Sequence, residues 1–158
     1  MGLRRKSREL AAQTLYALDF RELDPEFLEY GMLNSYPDVL NELAKLEKML
    51  NSATVIDFAD DLVKNAIINR TEIIQKIEKH SENWSVESIS HMDRNVLQVA
   101  VYELLYTDTP PAVVINEALE IGKKFCEEGA VKFINGVLDS VNKELRAKES
   151  IEGIARLR

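Results

Sequence analysis

Ser90-His91-Met92-Asp93-Arg94-Asn95-Val96-Leu97-Gln98-Val99-Ala100-Val101-Tyr102-Glu103-Leu104-Leu105 is the stretch that decides the fold class. Ser90 followed by Asp93 resembles a capping box, in which the hydroxyl and the acid satisfy backbone N–H groups left free at a helix start. Behind it, Val96, Leu97, Val99, Ala100, Val101, Leu104 and Leu105 make the helix apolar on most sides. A surface helix keeps one polar face, so this one belongs at the centre, surrounded by other elements.

Those elements are also helical. Thr109-Pro110-Pro111 stops the central helix and starts the next, because Pro fits a helix's first turn without losing a bond. That helix carries Val114, Ala118, Ile121, Gly122 and Phe125 on one face, pairs Glu120 with Lys124, and ends at Gly129. The last strong helix turns Val131, Ile134, Val137, Leu138, Val141 and Leu145 inward. Toward the N-terminus, Leu10, Ala11, Thr14, Leu15 and Leu18 form the face of a first helix ending near Phe20. Pro25 permits a short helix through Phe27, Leu28 and Leu33, and Pro37 opens another with Leu40, Leu43, Leu46, Met49 and Leu50 as its stripe. The longest pattern runs from about Thr54 to His80. Arg70 interrupts it, marking a kink or a division into two helices. No stretch alternates at period two, so the expected class is all-α. One helical domain is expected over residues 1–146, with halves of about 1–82 and 83–146, followed by a weakly ordered tail at 147–158.

The chain has 158 residues, enough for one well-formed core, and a single cysteine, Cys126, which excludes an internal disulfide and a Cys-built zinc site. No apolar run approaches the roughly 18 residues of a membrane span, and polar residues follow the basic start where a signal peptide needs an apolar core. A soluble, cytoplasmic protein is expected. Charge is unevenly spread. Arg4, Arg5, Lys6 and Arg8 give residues 1–8 a charge of +4, while the rest holds 16 bases against 27 acids, or −11. A basic tip on an acidic body can confine a polyanion to one edge, or it can be a solubilising terminus.

Enzyme motifs are missing. No G-x-G exists, so neither a dinucleotide fingerprint nor a P-loop is present. His80 and His91 lack the spacing of a helical metal pair and read as surface or capping residues. Cys126 has Lys123 and Lys124 nearby but no histidine, and reads as a half-buried thiol at a helix end. Pairs such as Asp60-Asp61 read as solvated faces. Two features remain. Cations in a first helical turn oppose the helix dipole, a penalty that a bound phosphate would reverse. Phe133 lies about 100° off the stripe of its helix, placed either to stack on an unpaired base or to pack under a neighbouring helix.

The order of these motifs resembles the NusB family of bacterial transcription antitermination factors. Arg4-Arg5-Lys6-Ser7-Arg8-Glu9 with Ala12-Gln13-Thr14-Leu15-Tyr16 is similar to its opening. Trp84, Asp93-Arg94-Asn95-Val96-Leu97 and Val101-Tyr102-Glu103-Leu104 continue the match. Asp108-Thr109-Pro110, Val114-Ile115-Asn116-Glu117-Ala118 and Lys132-Phe133-Ile134-Asn135-Gly136-Val137-Leu138-Asp139 complete it. The resemblance implies a helical fold of two small subdomains, no enzymatic activity and no cofactor. It implies binding of single-stranded boxA RNA together with the small-subunit ribosomal protein NusE, and through them an action on the RNA polymerase elongation complex. By position, Arg4, Arg5, Lys6 and Arg8 would hold RNA phosphates, and Tyr16, Phe125 and Phe133 would approach bases or backbone. Glu87 and Asp93 would face the ribosomal protein. Gly129-Ala130 replaces the acid and Ser that family members often carry. The rival reading is a helical protein–protein adaptor without RNA binding; a helix-turn-helix DNA regulator would need a basic recognition helix, which the acidic or mixed later helices do not offer.

Overall fold

A computed structural model describes residues 2–21, 28–82 and 89–157. Regular structure among them is entirely helical: α1 (Leu3–Leu18), α2 (Leu28–Leu46), α3 (Ala53–Ile68), α4 (Arg70–His80), α5 (His91–Tyr106), α6 (Pro111–Phe125) and α7 (Ala130–Leu157). No helix among them is long and apolar enough to cross a membrane. The expected elements at Pro25, Phe27 and Trp84 lie outside the described residues.

The all-round apolar pattern of α5 has the expected result. This helix packs against α1, α3, α4, α6 and α7, and every residue from Asn95 to Glu103 is buried. Ser90 starts it, its Oγ accepting the Asp93 backbone N–H at 3.1 Å. One continuous core runs from Ala11, Leu15 and Leu18 of α1 through Leu97 and Val101 to Ile134 and Val141 of α7. A satellite of Leu10, Leu40, Ala44, Val55 and Ala59 joins α1, α2 and α3.

Three local readings differ from the structure. Pro37 does not open a helix but lies inside α2. Met32, Tyr36, Val39 and Leu40 form one buried face on both sides of it, and this tertiary contact outweighs the hydrogen bond that Pro forfeits. Leu46 and Leu50, expected in that stripe, are exposed. The pattern at 54–80, by contrast, is divided into two helices as the interruption at Arg70 allowed, the break falling at Asn69, whose side chain donates to the Asn65 carbonyl at 2.8 Å. Finally, α7 continues through Leu157 in place of the weak order expected from Ala147, although the side chains of 147–156 are all exposed.

Phe133 requires a correction. It is 6% exposed and belongs to the main core. A single inward stripe is the wrong geometry for α7, which is embraced by α4, α5 and α6 and so buries more than one face. The closeness of α6 and α7 is set at Gly122, where an added Cβ would come within 3.2 Å of Ile134 Cδ1.

Candidate nucleic-acid interface

Nothing caps α1 by a side chain, and its first turn holds no acid, so Arg4, Arg5 and Lys6 stand against the positive end of the helix dipole. Carboxylates from other helices relieve that repulsion. Arg5 forms a bidentate pair with Glu117 of α6, Nε to Oε2 at 2.7 Å and Nη2 to Oε1 at 2.9 Å. Lys6 Nζ reaches Glu47 at 2.7 Å and Glu9 at 3.5 Å. Glu9, itself buried, also receives Lys124 at 3.1 Å. These hydrogen bonds raise the Arg5 and Lys6 pKa values above their usual ranges and lower those of Glu117 and Glu47. Arg4 is exposed, its guanidinium 4.8 Å from the centre of the Phe58 ring, which Arg8 approaches from 5.4 Å.

Arg8 is not a surface cation. It is 5% exposed and doubly bonded to Glu103 of α5, at 2.6 and 2.9 Å. It therefore locks α1 onto α5 and carries the tip without presenting charge to a ligand. Ser7 does the same toward α3, donating to the Val55 carbonyl at 2.8 Å. The +4 read from residues 1–8 is thus largely matched in space by Glu9, Glu47, Glu103 and Glu117, which the linear sequence could not place there.

The aromatic candidates separate. Tyr16 is 38% exposed and meets Phe20 edge-on at 4.9 Å. Phe125 is half-buried at the end of α6 with Lys124 Nζ 5.2 Å from its ring. Of the expected partner-facing acids, Asp93 is buried beside Cys126, which removes it from the surface, and Glu87 lies outside the described residues. Burial, then Asp93, push the Cys126 thiol up to about 12, which fits an inert helix-end thiol. The expected Glu120–Lys124 pair is not made: Glu120 takes Lys123, and Lys124 crosses to Glu9. His80 is not a surface residue but a bridge, contacting Ser140 Oγ at 2.7 Å and Glu144.

Sequence reasoning missed Phe58, Glu47 and Glu117. They lie in other parts of the chain, and nothing local marks them as partners of the tip.

An all-helical binding protein with a cation-bearing helix tip is the class that this fold and site define. Residues 5–143 match the NusB family, and the chain belongs to that family. It is 40% identical over 149 residues to transcription antitermination protein NusB of Geobacter sulfurreducens, covering 94% of this chain and 99% of that protein. The corresponding protein of Geotalea uraniireducens is 37% identical over 150 residues, covering 94% and 100%. Among solved structures, a chain of antitermination factors NusB and NusE in complex with dsRNA superposes with a TM-score of 0.73 at 28% identity, covering 91% of this chain and 98% of that one. NusB of T. maritima gives 0.69 at 33% identity, covering 89% and 91%.

Proposed function

We propose that this chain is a transcription antitermination factor that binds single-stranded boxA-type RNA together with the ribosomal protein NusE. Through that complex it promotes read-through of terminators in ribosomal RNA operons by the RNA polymerase elongation complex. The observation that carries this reading is the convergence of Arg4, Arg5 and Lys6 on the first turn of α1, flanked by Lys124 of α6.

The carboxylates on these cations act as placeholders for phosphate. An incoming RNA exchanges Glu47, the most exposed of them at 38%, for a phosphate oxygen, so Lys6 is never left without a counter-charge. Arg5 presents the planar fork suited to a phosphate, while Arg8 stays on Glu103 and keeps the helix in place. The acidic remainder of the chain repels RNA elsewhere and suits a basic ribosomal protein.

Titration of boxA-type RNA and a scrambled control at several salt concentrations tests this. Replacing Arg4, Arg5 and Lys6 with Ala should flatten the slope of log K against log salt by about 0.7 for each phosphate no longer neutralised. Glu47→Gln should raise the affinity. An unchanged slope in the triple variant would instead favour a protein-only adaptor.

A further inference from the structure

We propose that Phe20 and His91, together with Tyr16, form a stacking platform for unpaired nucleobases, continuing the RNA path beyond the basic tip. This rests on the RNA-binding reading above and extends it to residues on the far end of α1 and the start of α5.

Three exposed rings form a connected row there, with Phe20 in the middle. Tyr16 meets Phe20 at 4.9 Å with planes at 68°, and Phe20 meets His91 at 5.2 Å with planes at 53°. Phe20 is 61% exposed and the His91 side chain 57%. Single exposed aromatics are ordinary, but a connected row of them is an unfilled contact surface.

The row is held in place. Asp19 Oδ2 lies 3.5 Å from His91 Nδ1 and accepts the Asn95 side-chain N–H at 2.7 Å. Asn95 is fully buried and its own oxygen accepts Gln98 Nε2 at 2.9 Å. A chain of buried amides therefore fixes the carboxylate that orients the imidazole. Backbone bonds from Phe20 N–H to the Ala17 carbonyl and from Arg21 N–H to that of Leu18 continue the turn past the end of α1.

Position and charge favour RNA over a protein ligand. Arg5, Glu9 and Tyr16 stand at i, i+4 and i+11, one stripe of α1, and Phe20 follows in the turn just past its end, so the rings lie at the far end of the helix whose first turn carries the cations. At about 1.5 Å per residue, Tyr16 lies roughly 16 Å from Arg5, a distance that a few nucleotides cover. Cations flank the rings: Arg21 is exposed next to Phe20, and Arg94 lies one turn from His91 on the same face of α5. Rings interleaved with cations suit a strand whose bases stack while its phosphates are neutralised, and every base has a π-face to offer.

The test uses the full chain with oligoadenylates carrying the fluorescent adenine analogue 2-aminopurine. One strand is too short to reach from Arg5 to Phe20, one is long enough, and one is long but fully paired. The double variant Phe20→Ala/His91→Ala should lose at least about fivefold in affinity for the long single strand, keep its affinity for the short strand and the duplex, and no longer quench the analogue. Phe20→Tyr, which keeps a ring, should retain quenching. Wild-type affinity and quenching in the double variant would overturn the platform while leaving the tip intact. Equal losses on all three RNAs would overturn it as general damage to the fold. Weakened binding of a basic ribosomal protein with unchanged RNA binding would make the row a protein-docking surface and also overturn it. If the unaltered protein binds none of the RNAs, the functional reading and the platform fall together.

Discussion

Arg8 and Glu103 meet with side chains 5% and 2% exposed, so each is costly to leave without the other. Arg8→Ala is expected to destabilise by about 3–5 kcal/mol, because an unpaired carboxylate remains buried in the crevice between α1, α5 and α6. Replacing both partners with apolar residues of similar volume should cost much less, and chemical denaturation of the single and double variants measures the difference. Phe133→Ala should likewise lose about 3–5 kcal/mol, as a ring deleted from a packed core leaves a cavity. A loss below about 1 kcal/mol would place that ring outside the core. Both residues show where sequence reasoning stops. Arg8 sits in a run of cations and reads as one of them, yet its partner stands 95 positions away. Phe133 reads as lateral because a helical wheel assumes one inward direction, and α7 has several.

At the level of elements, α4 and α7 are joined by a cluster centred on Glu144. Its carboxylate takes Lys76 at 2.9 Å and Lys79 at 3.0 Å, with His80 on its second oxygen. Lys76 first, then Lys79, hold the pKa down to about 2, against an ordinary value of 4.5. A carboxylate depressed in the folded state adds stability above its unfolded pKa and loses it as pH falls toward the folded value. The chain should therefore weaken between about pH 4.5 and 2, and Glu144→Gln should make that part of the acid limb flatter; stability measured across this range in both proteins checks it. Helices α5 and α6 were legible because their signals are local: a capping Ser, a Pro in the first turn, an uninterrupted apolar pattern. The unbroken course of α2 through Pro37 was not, since it depends on what Tyr36 and Val39 pack against.

For the whole molecule, charge follows space and not the order of residues. Cations were legible as a class because four of them share the first eight positions, whereas their acids are Glu9, Glu47, Glu103 and Glu117, spread over most of the chain. A basic partner docked on the acidic body would screen repulsion at the tip, so RNA and NusE are expected to strengthen each other by about 1–3 kcal/mol, equally in both directions. Titrating each with and without the other measures both sides of that cycle, and independent binding would exclude the coupling. The long-range pairing of Arg5 with Glu117 has a further consequence during synthesis. The chain leaves the ribosome N-terminus first. Arg4, Arg5 and Lys6 therefore emerge before any of the acids that later restrain them, as a bare cationic peptide beside a large polyanion. Glu9 and Glu47 arrive next, then Glu103, and Glu117 only when most of the chain has been made. Each newly translated carboxylate is an internal counterion, and the tip reaches its final charge balance only as α6 docks and Glu117 meets Arg5.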